Sequence, residues 1–516
     1  MKKKSGKTGT SNKPKKKSSK DTQKRVIGTN LIVANSFVEL IRSSLGPLGS
    51  HKIIVDRDNF IMVTRDGRTI FENIEVIHPI EKILVNLTKS IDEEVGDGTT
   101  SAVIFTGALL SGALKLMELG LHPTTIVNGY QSAFEQAMEN IEKLAVPMED
   151  TMLKQVAFCS LNSKTLDQYK DMFSDMVVET VLKTPEISSV YFERVQGKST
   201  AETELVDGLI IETQVMPPNV PTEIEDAKIL LIDADVTFDE IKQKKWIELN
   251  IDDPSQIEDM HLYTYDFFKN IAHKIKETGA NVVMNLKRMD SIVTDYLGEG
   301  GVLVTTNVMR RDVNRIARAT GAKVVTDLDT ISFEDLGSAK RVYQKKLSDY
   351  KFVYFELEDV ATILIRGGSK QVIDETYQTL HDALHTTSNA FLHKAILPGG
   401  GATETYLSQA IKKYALSVKT KKQLAVLAYA DALLTIPKTL AHNSGQDPIS
   451  AVIELKKHHE TDGPNCGLDV LSGEIVDTIK SGVIEPLITK KRIISGASQT
   501  AQLILRADDY IPKKRV

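Results

Sequence analysis

Apolar residues recur at helical spacing early in the chain. Between residues 23 and 44, Ile27, Leu31, Ala34, Phe37, Val38 and Ile41 share one face of a 3.6-residue repeat, which predicts a long amphipathic helix. Leu45-Gly46-Pro47-Leu48-Gly49 then ends it in a tight turn. Residues 52–56 and 61–64 read as two short strands joined by the turn Arg57-Asp58-Asn59. Residues 80–150 are nearly all helical in pattern, with a break at Gly120-Leu121-His122-Pro123.

The pattern changes after residue 150. Strand-like runs occur at 208–213, 229–232, 281–284, 302–304, 323–325, 352–355 and 362–365, and helical segments near 256–278, 288–297 and 310–320 separate several of them. That alternation predicts an α/β domain with some parallel pairing. A long insert, about 236–262, holds the single tryptophan, Trp246, and an insert of this length is more often functional than idle. Residues 368–392 return to helix, and the glycine-rich turn Pro398-Gly399-Gly400-Gly401 opens a second mostly helical stretch. The two ends share a texture, so the pattern predicts one helical domain built from both termini with the α/β part inserted.

Composition narrows the class. At 516 residues the chain is long enough for about three domains. Hydrophobic content of 41% and charged content of 26% suit a globular protein, and no uninterrupted apolar run approaches a membrane span. The N-terminus is basic with no apolar segment after it, as expected without a secretory leader. Cys159 and Cys466 form no disulfide framework or zinc spacing, which fits a reducing, intracellular setting. Net charge is -5, yet residues 2–20 hold nine lysines and no acid. Residues 1–20 therefore read as a disordered basic tail that makes at most nonspecific contact with nucleic acid. The acidic remainder argues against nucleic acid as the main partner.

The candidate chemistry centres on Gly96-Asp97-Gly98-Thr99-Thr100-Ser101, a glycine-flanked carboxylate before an apolar helical run. The glycines permit close backbone approach, and a helix start offers N–H groups and a positive dipole end to phosphate. Thr99, Thr100 and Ser101 are placed to cap that helix and to add hydroxyl donors. Asp97 would repel phosphate unless a divalent cation lay between, the arrangement Mg²⁺ favours. A Mg-nucleotide site and a plain N-cap turn both fit this stretch taken alone. The acidic run Asp92-Glu93-Glu94-Val95 before it is expected to be exposed. Asp66-Gly67, at the end of the second strand, is another candidate catalytic or metal group, or a simple turn. The turns at Leu45-Gly46-Pro47 and Gly399-Gly400-Gly401 offer further backbone amides to an anion.

Together these segments resemble a chaperonin subunit over nearly all of residues 22–511. The resemblance rests on Leu45-Gly46-Pro47, Asp66-Gly67, Gly96-Asp97-Gly98-Thr99-Thr100, His381-Asp382-Ala383-Leu384, Gly399-Gly400-Gly401-Ala402, Asn443-Ser444-Gly445-Gln446-Asp447-Pro448 and Gly482-Val483-Ile484-Glu485-Pro486. The insert and Ser160-Leu161-Asn162-Ser163-Lys164 are similar to the group II branch, that of the archaeal thermosome and the eukaryotic cytosolic complex. The resemblance implies a multidomain α and α/β fold. A mostly helical equatorial ATPase domain (21–150 and 393–516) is built from both termini. A small α/β intermediate domain (151–213 and 367–392) and an α/β apical substrate-binding domain (214–366) complete it, the apical domain carrying a helical lid protrusion at about 236–262.

The resemblance also implies ATP and Mg²⁺ as cofactors, with K⁺ as an optional second cation. By it Asp97 binds the metal and phosphates, while Asp66 and Asp382 position and activate the attacking water. Lys164 senses the γ-phosphate. Leu45, Gly46, Pro47, Gly98, Thr99, Thr100, Ser101, Gly400 and Gly401 cradle phosphate or ribose, and Glu485 approaches the ribose. The implied partners are other chaperonin subunits, identical or paralogous, in two stacked rings of about eight, together with unfolded protein substrates in the cytoplasm and no membrane.

This chain departs from the family pattern. It has Arg65-Asp66-Gly67-Arg68-Thr69, which adds two cations expected beside the phosphates, and Tyr377-Gln378 where a Glu-Arg pair is usual. Asp66, Asp97 and Asp382 favour an active folding ATPase. Arg65, Arg68 and Gln378 favour a slow or structural subunit of a mixed ring that contributes mainly recognition surface. No P-loop is present, which argues against an unrelated kinase or synthetase.

Overall fold

The computed structural model of the chain describes residues 19–55, 61–161, 166–216, 220–237 and 254–507. The expected turn at 57–59, Lys164, most of the basic tail and the heart of the insert, with Ile241, Trp246, Ile247, Leu249 and Ile251, lie outside those residues. The chain divides into two compact units. One comprises residues through Asp167 and from His385 onward; the other is Gln168–Leu384.

The first unit is helical. Its first helix, Ser19–Arg42, starts inside the stretch expected to lack structure and buries Leu31, Ala34, Phe37, Val38 and Ile41. The 80–150 region holds three helices, Pro79–Val95, Thr99–Glu118 and Pro123–Leu144. Thr99–Glu118 is apolar around most of its circumference and runs through the middle of the core. Gly107 lets Val38 pack against its backbone, since a Cβ there would fall 2.7 Å from a Val38 methyl. The C-terminal helices Ala402–Ala415, Lys422–Leu433 and Leu487–Arg506 close the same core, which is how the two ends of the chain become one body. The two fully buried tyrosines of this core each place their hydroxyl on a partner: Tyr130 Oη donates to the Leu109 carbonyl at 2.7 Å, and Tyr429 Oη lies 2.7 Å from Ser498 Oγ.

Two stretches of this unit, Thr99–Glu118 and Lys422–Asn443, are long and apolar enough to cross a membrane, contrary to the reading of the sequence by uninterrupted runs. The second is two successive helices, Lys422–Leu433 and Thr435–Asn443. Both stretches are mostly buried against the rest of the unit, as core helices are.

The second unit is α/β. Its main sheet runs Leu209–Glu212, Tyr350–Glu356, Gly337–Leu347, Glu223–Ile232, Val282–Asn285, Leu303–Thr305, with Val324–Val325 also paired to Glu223–Ile232. Glu223–Ile232 pairs in parallel with Val282–Asn285 and Val324–Val325 and antiparallel with Gly337–Leu347. Helices Pro254–Glu277, Ser291–Glu299 and Arg310–Thr320 fall where the pattern places them. A three-stranded sheet centred on Ala361–Gly367 lies beside the helix Lys370–His393 in sequence, and that helix contains the division between the units.

Candidate functional site

Three glycine-bearing turns of the first unit are held by two helices from its C-terminal half. Gly46 and Gly401 both have positive φ. A Cβ at Gly46 would fall 2.6 Å from Leu440 Cδ2, and one at Gly401 would fall 2.6 Å from Pro437 Cβ. Pro437 and Leu440 are one turn apart on the helix Thr435–Asn443, so one helical face backs both turns. Asn443 ends that helix by donating to the carbonyls of Arg42, at 3.0 Å, and Leu45, at 2.9 Å. On the helix Leu487–Arg506, Ile493 packs under Gly98, where a Cβ would sit 2.3 Å from its Cδ1.

The turn at Gly96–Gly98 is left-handed at both glycines. Gly98 is the N-cap of Thr99–Glu118 and makes no side-chain cap bond. Thr99, Thr100 and Ser101 therefore do not cap the helix as expected; they form its first turn. The first helical bond runs from Ala102 N–H to the Gly98 carbonyl at 3.0 Å, so the N–H groups of Thr99, Thr100 and Ser101 precede the ladder. The threonine hydroxyls face Gly67 instead, where a Cβ would lie 2.9 Å from Thr100 Oγ1 and 3.0 Å from Thr99 Oγ1. Only glycine admits this approach, and it sets Asp66 beside the helix start.

Asp66 caps the short helix Gly67–Asn73. Its oxygens accept from Thr69 N–H at 2.7 Å and Arg68 N–H at 3.4 Å. Asp97 is exposed by surface area, yet enough protein surrounds it for desolvation to act on its carboxyl. Burial, the largest influence, pushes its carboxyl above the usual range; the Gly98 N–H lowers it, Asp66 raises it, and Lys490 and Arg65 lower it. Glu485 is also pushed up by burial, against Lys490, with Glu404 and Asp97 adding to the rise. Lys490 is buried between Glu404 and Glu485.

Asp66, Asp97, Glu404 and Glu485 thus share one region with the cations Lys490 and Arg65, and the excess of acid matches a divalent cation. Among the described residues no group of three or more His, Cys, Asp or Glu side chains is arranged to cage a metal alone. One carboxylate with phosphate and water oxygens completing the shell is the mode Mg²⁺ uses with nucleotides, so the donor set fits that ion and its nucleotide.

The acidic run before Asp97 is not wholly exposed. Glu93 and Glu94 face solvent, but Asp92 and Val95 are each 1% exposed. Asp92 is buried because Arg68 reaches it in a short ion pair and also contacts Glu72 at 3.1 Å. Arg68 is therefore turned away to Asp92 and Glu72, not added to the phosphate region as the sequence suggested. Arg65 donates to the Pro47 carbonyl at 3.4 Å, on the Leu45-Gly46-Pro47 turn. Burial pushes Asp92 up to about 6 although Arg68 pulls the other way; burial also works against the Arg68 charge, but Asp92 and Glu72 outweigh it. The desolvation cost thus falls on the carboxylate.

Arg68→Ala is expected to cost about 2 kcal/mol at neutral pH, less than a fully buried pair because Arg68 is partly solvated. Asp92 sits above its ordinary value of 3.8, so its contribution to stability is full below that value and lost as pH rises through about 6. Without Arg68 the loss deepens above pH 6. Urea unfolding should show a larger deficit at pH 7.5 than at pH 5; an equal deficit at both would refute the pairing.

Gly400 and Gly401, both at positive φ, close the remaining side. Leu468 N–H donates to the Gly400 carbonyl at 2.8 Å, and the helix Ala402–Ala415 starts directly after. Glu485 lies in the strand Ile484–Pro486, paired with Ala395–Pro398 just before this turn. In this way Leu45, Gly46, Pro47, Asp66, Asp97, Gly98, Thr99, Thr100, Ser101, Gly400, Gly401 and Glu485 all belong to the first unit. Lys164 falls outside the described residues.

Asp382 belongs to the second unit. Its Oδ1 accepts from Gln378 Nε2 at 3.2 Å, and His381 Nδ1 lies 3.6 Å away. Tyr377 meets Phe192 edge-on at 5.0 Å, with the Arg194 guanidinium 4.9 Å from its ring centre, so an aromatic and cationic cluster forms around Tyr377. Further along the same helix, and in the first unit, His385 packs on Gly96 and Asn389 donates to the Val95 carbonyl at 3.5 Å. Pro437, Leu440, Lys490 and Ile493 carry no motif of their own to mark them as supports of this site, while Asn443 opens a quoted motif without any role read from it.

Glycine turns, a helix start and clustered acids thus come together on one helical body built from both ends of the chain. The model of the TCP-1/cpn60 chaperonin family matches residues 37–515. A thermosome subunit of Methanopyrus kandleri is 36% identical over 94% of this chain and 92% of its own length. A thermosome subunit beta of Archaeoglobus fulgidus is 38% identical over 94% and 91%, and a thermosome subunit alpha of Methanothermobacter thermautotrophicus is 36% identical over 93% and 90%. The chain belongs to the TCP-1/cpn60 chaperonin family, in its group II branch.

Proposed function

We propose that the protein is an ATP-dependent chaperonin subunit that binds Mg-ATP in its first unit and couples hydrolysis to closure over an unfolded client. The observation that carries this is the convergence of Asp66, Asp97 and Glu485 with the glycine turns at 46, 98 and 400–401 on one helical body. Asp97 would hold Mg²⁺ together with phosphate oxygens. The metal would neutralise the phosphates and polarise them. The chain's own groups do the positioning: the N–H groups of Thr99, Thr100 and Ser101 receive phosphate, Asp66 orients water, and Glu485 meets the ribose. Asp382 would supply the second water-orienting carboxylate from the intermediate domain, so hydrolysis would wait on a conformational step. Lys164 would sense the γ-phosphate.

The domain plan inferred from the resemblance, with equatorial, intermediate and apical parts, belongs to this proposal. So do a double ring with identical or paralogous subunits, optional K⁺, and action in the cytoplasm, which suits the thiols of Cys159 and Cys466. Phosphate release by the purified protein with and without Mg²⁺ tests the core claim. Metal-dependent turnover is expected; a metal-independent or undetectable rate counts against it. A second reading, a slow subunit valued for recognition, is favoured by Gln378, whose amide holds an oxygen of Asp382. Metal-dependent binding with turnover near zero would select it.

The insert at 236–262 is proposed as the lid. Trp246 is expected to change its accessibility to a fluorescence quencher when ATP and a transition-state phosphate mimic are added. Unchanged quenching would remove the lid from the proposal.

A further inference from the structure

Lys490 is 2% exposed and belongs to no motif noted in the sequence. Its Nζ lies 2.6 Å from Glu404 Oε1 and 2.7 Å from Glu485 Oε2. The two carboxylates differ in setting. Glu404 is 5% exposed at its side chain, in the first turn of the helix opened by Gly399–Gly401. Glu485 is 34% exposed at its side chain, on the strand paired beside that turn. One end of this charge bridge is therefore fixed inside the unit and the other opens outward.

Stability does not explain such a triad. Burying an ammonium between carboxylates is commonly no better than apolar side chains of the same volume. Apolar residues, however, could not oppose the burial that, with Glu404 and Asp97 adding to it, pushes the Glu485 carboxyl up. Nor could they fix which oxygen faces inward. Lys490 does both: it takes Oε2, and Oε1 is left to accept from outside.

We propose that Lys490 is a positioning residue for nucleotide selection, whose ion pair fixes Glu485 so that its outer oxygen accepts from the vicinal hydroxyls of a ribose. This rests on reading the first-unit site as a Mg-nucleotide site. A carboxylate that accepts from two sugar hydroxyls discriminates against a sugar lacking them, because its outer oxygen is then left without a partner in a partly desolvated site.

The test is equilibrium binding of three Mg²⁺ complexes to the full chain by calorimetry: ADP, 2′,3′-dideoxy-ADP and pyrophosphate. None of them is turned over, so the readout is independent of hydrolysis. The first variant is the double substitution Lys490→Met with Glu404→Gln, which keeps the summed charge of the three residues unchanged. The second is Lys490→Gln, which retains a hydrogen-bond donor of similar reach. The wild type is expected to prefer ADP over its dideoxy form by about tenfold or more. In either folded variant that preference should collapse toward unity while pyrophosphate affinity stays within about threefold. Retained preference, or a parallel loss for all three ligands, would overturn the role of Lys490. Equal wild-type affinity for ADP and dideoxy-ADP would also overturn it, while leaving the phosphate site standing. A wild type that binds none of the three would remove the nucleotide reading itself.

Discussion

Asp97→Ala is expected to weaken Mg-nucleotide binding by more than about a hundredfold, since it removes the carboxylate proposed to share a metal with the phosphates. The loss should be specific to the metal complex. Gly98, the first turn of Thr99–Glu118 and the Gly400–Gly401 turn are untouched by the change, so the unit should fold normally. Stability should hold or rise slightly, because Asp97 is a carboxylate that burial disfavours in its charged form. Asp97→Asn separates shape from charge and should behave like the alanine variant. Calorimetric titration with Mg-ADP decides the matter, and near-normal affinity in either variant would end the assignment of Asp97 to the metal.

Asp382→Ala should leave binding intact and lower single-turnover hydrolysis by about a hundredfold or more, the scale on which a misplaced nucleophile loses its orientation. Asp382 belongs to the second unit, whereas the groups that would grip the nucleotide belong to the first. Its side chain is held by Gln378 and stands beside His381, so its removal takes away polar contacts. A surface role would change neither rate nor affinity. A structural role would lower both together. Only a water-orienting role separates them, with nucleotide bound, not hydrolysed, and captured chains released slowly.

Much of the architecture was legible in the chain. The amphipathic face of Ser19–Arg42 and the parallel strands around Glu223–Ile232 announced themselves because burial on one face or on both leaves a periodic or continuous apolar record. Gly337–Leu347 did not. Its lysines and arginine alternate with few apolar side chains, and long antiparallel pairing with Tyr350–Glu356, not hydrophobicity, makes it a strand. At the candidate site, residues under backbone constraint were visible, since positive φ at Gly46, Gly98, Gly400 and Gly401 demands glycine. What surrounds them was not. Lys490, Leu440 and Pro437 act on positions distant in sequence, and nothing local marks them. The environment of Asp92 was misjudged for the same reason: its partner Arg68 lies 24 residues earlier and draws the carboxylate inward.

The split origin of the first unit bears on how the chain leaves the ribosome. Its core needs Leu487–Arg506 against Thr99–Glu118, yet about 200 residues of the second unit are translated between the two halves. At ordinary elongation speeds that interval is about 10–40 s. Throughout it the apolar flanks of Thr99–Glu118 lack their final cover, while the inserted unit has its whole sequence available and can finish first. The nascent polypeptide thus passes through a sticky half-made stage of predictable duration. A pulse-chase with protease should find the insert resistant before the flanking helices, and synonymous codons that slow translation of the inserted unit should lengthen the vulnerable period and increase aggregation.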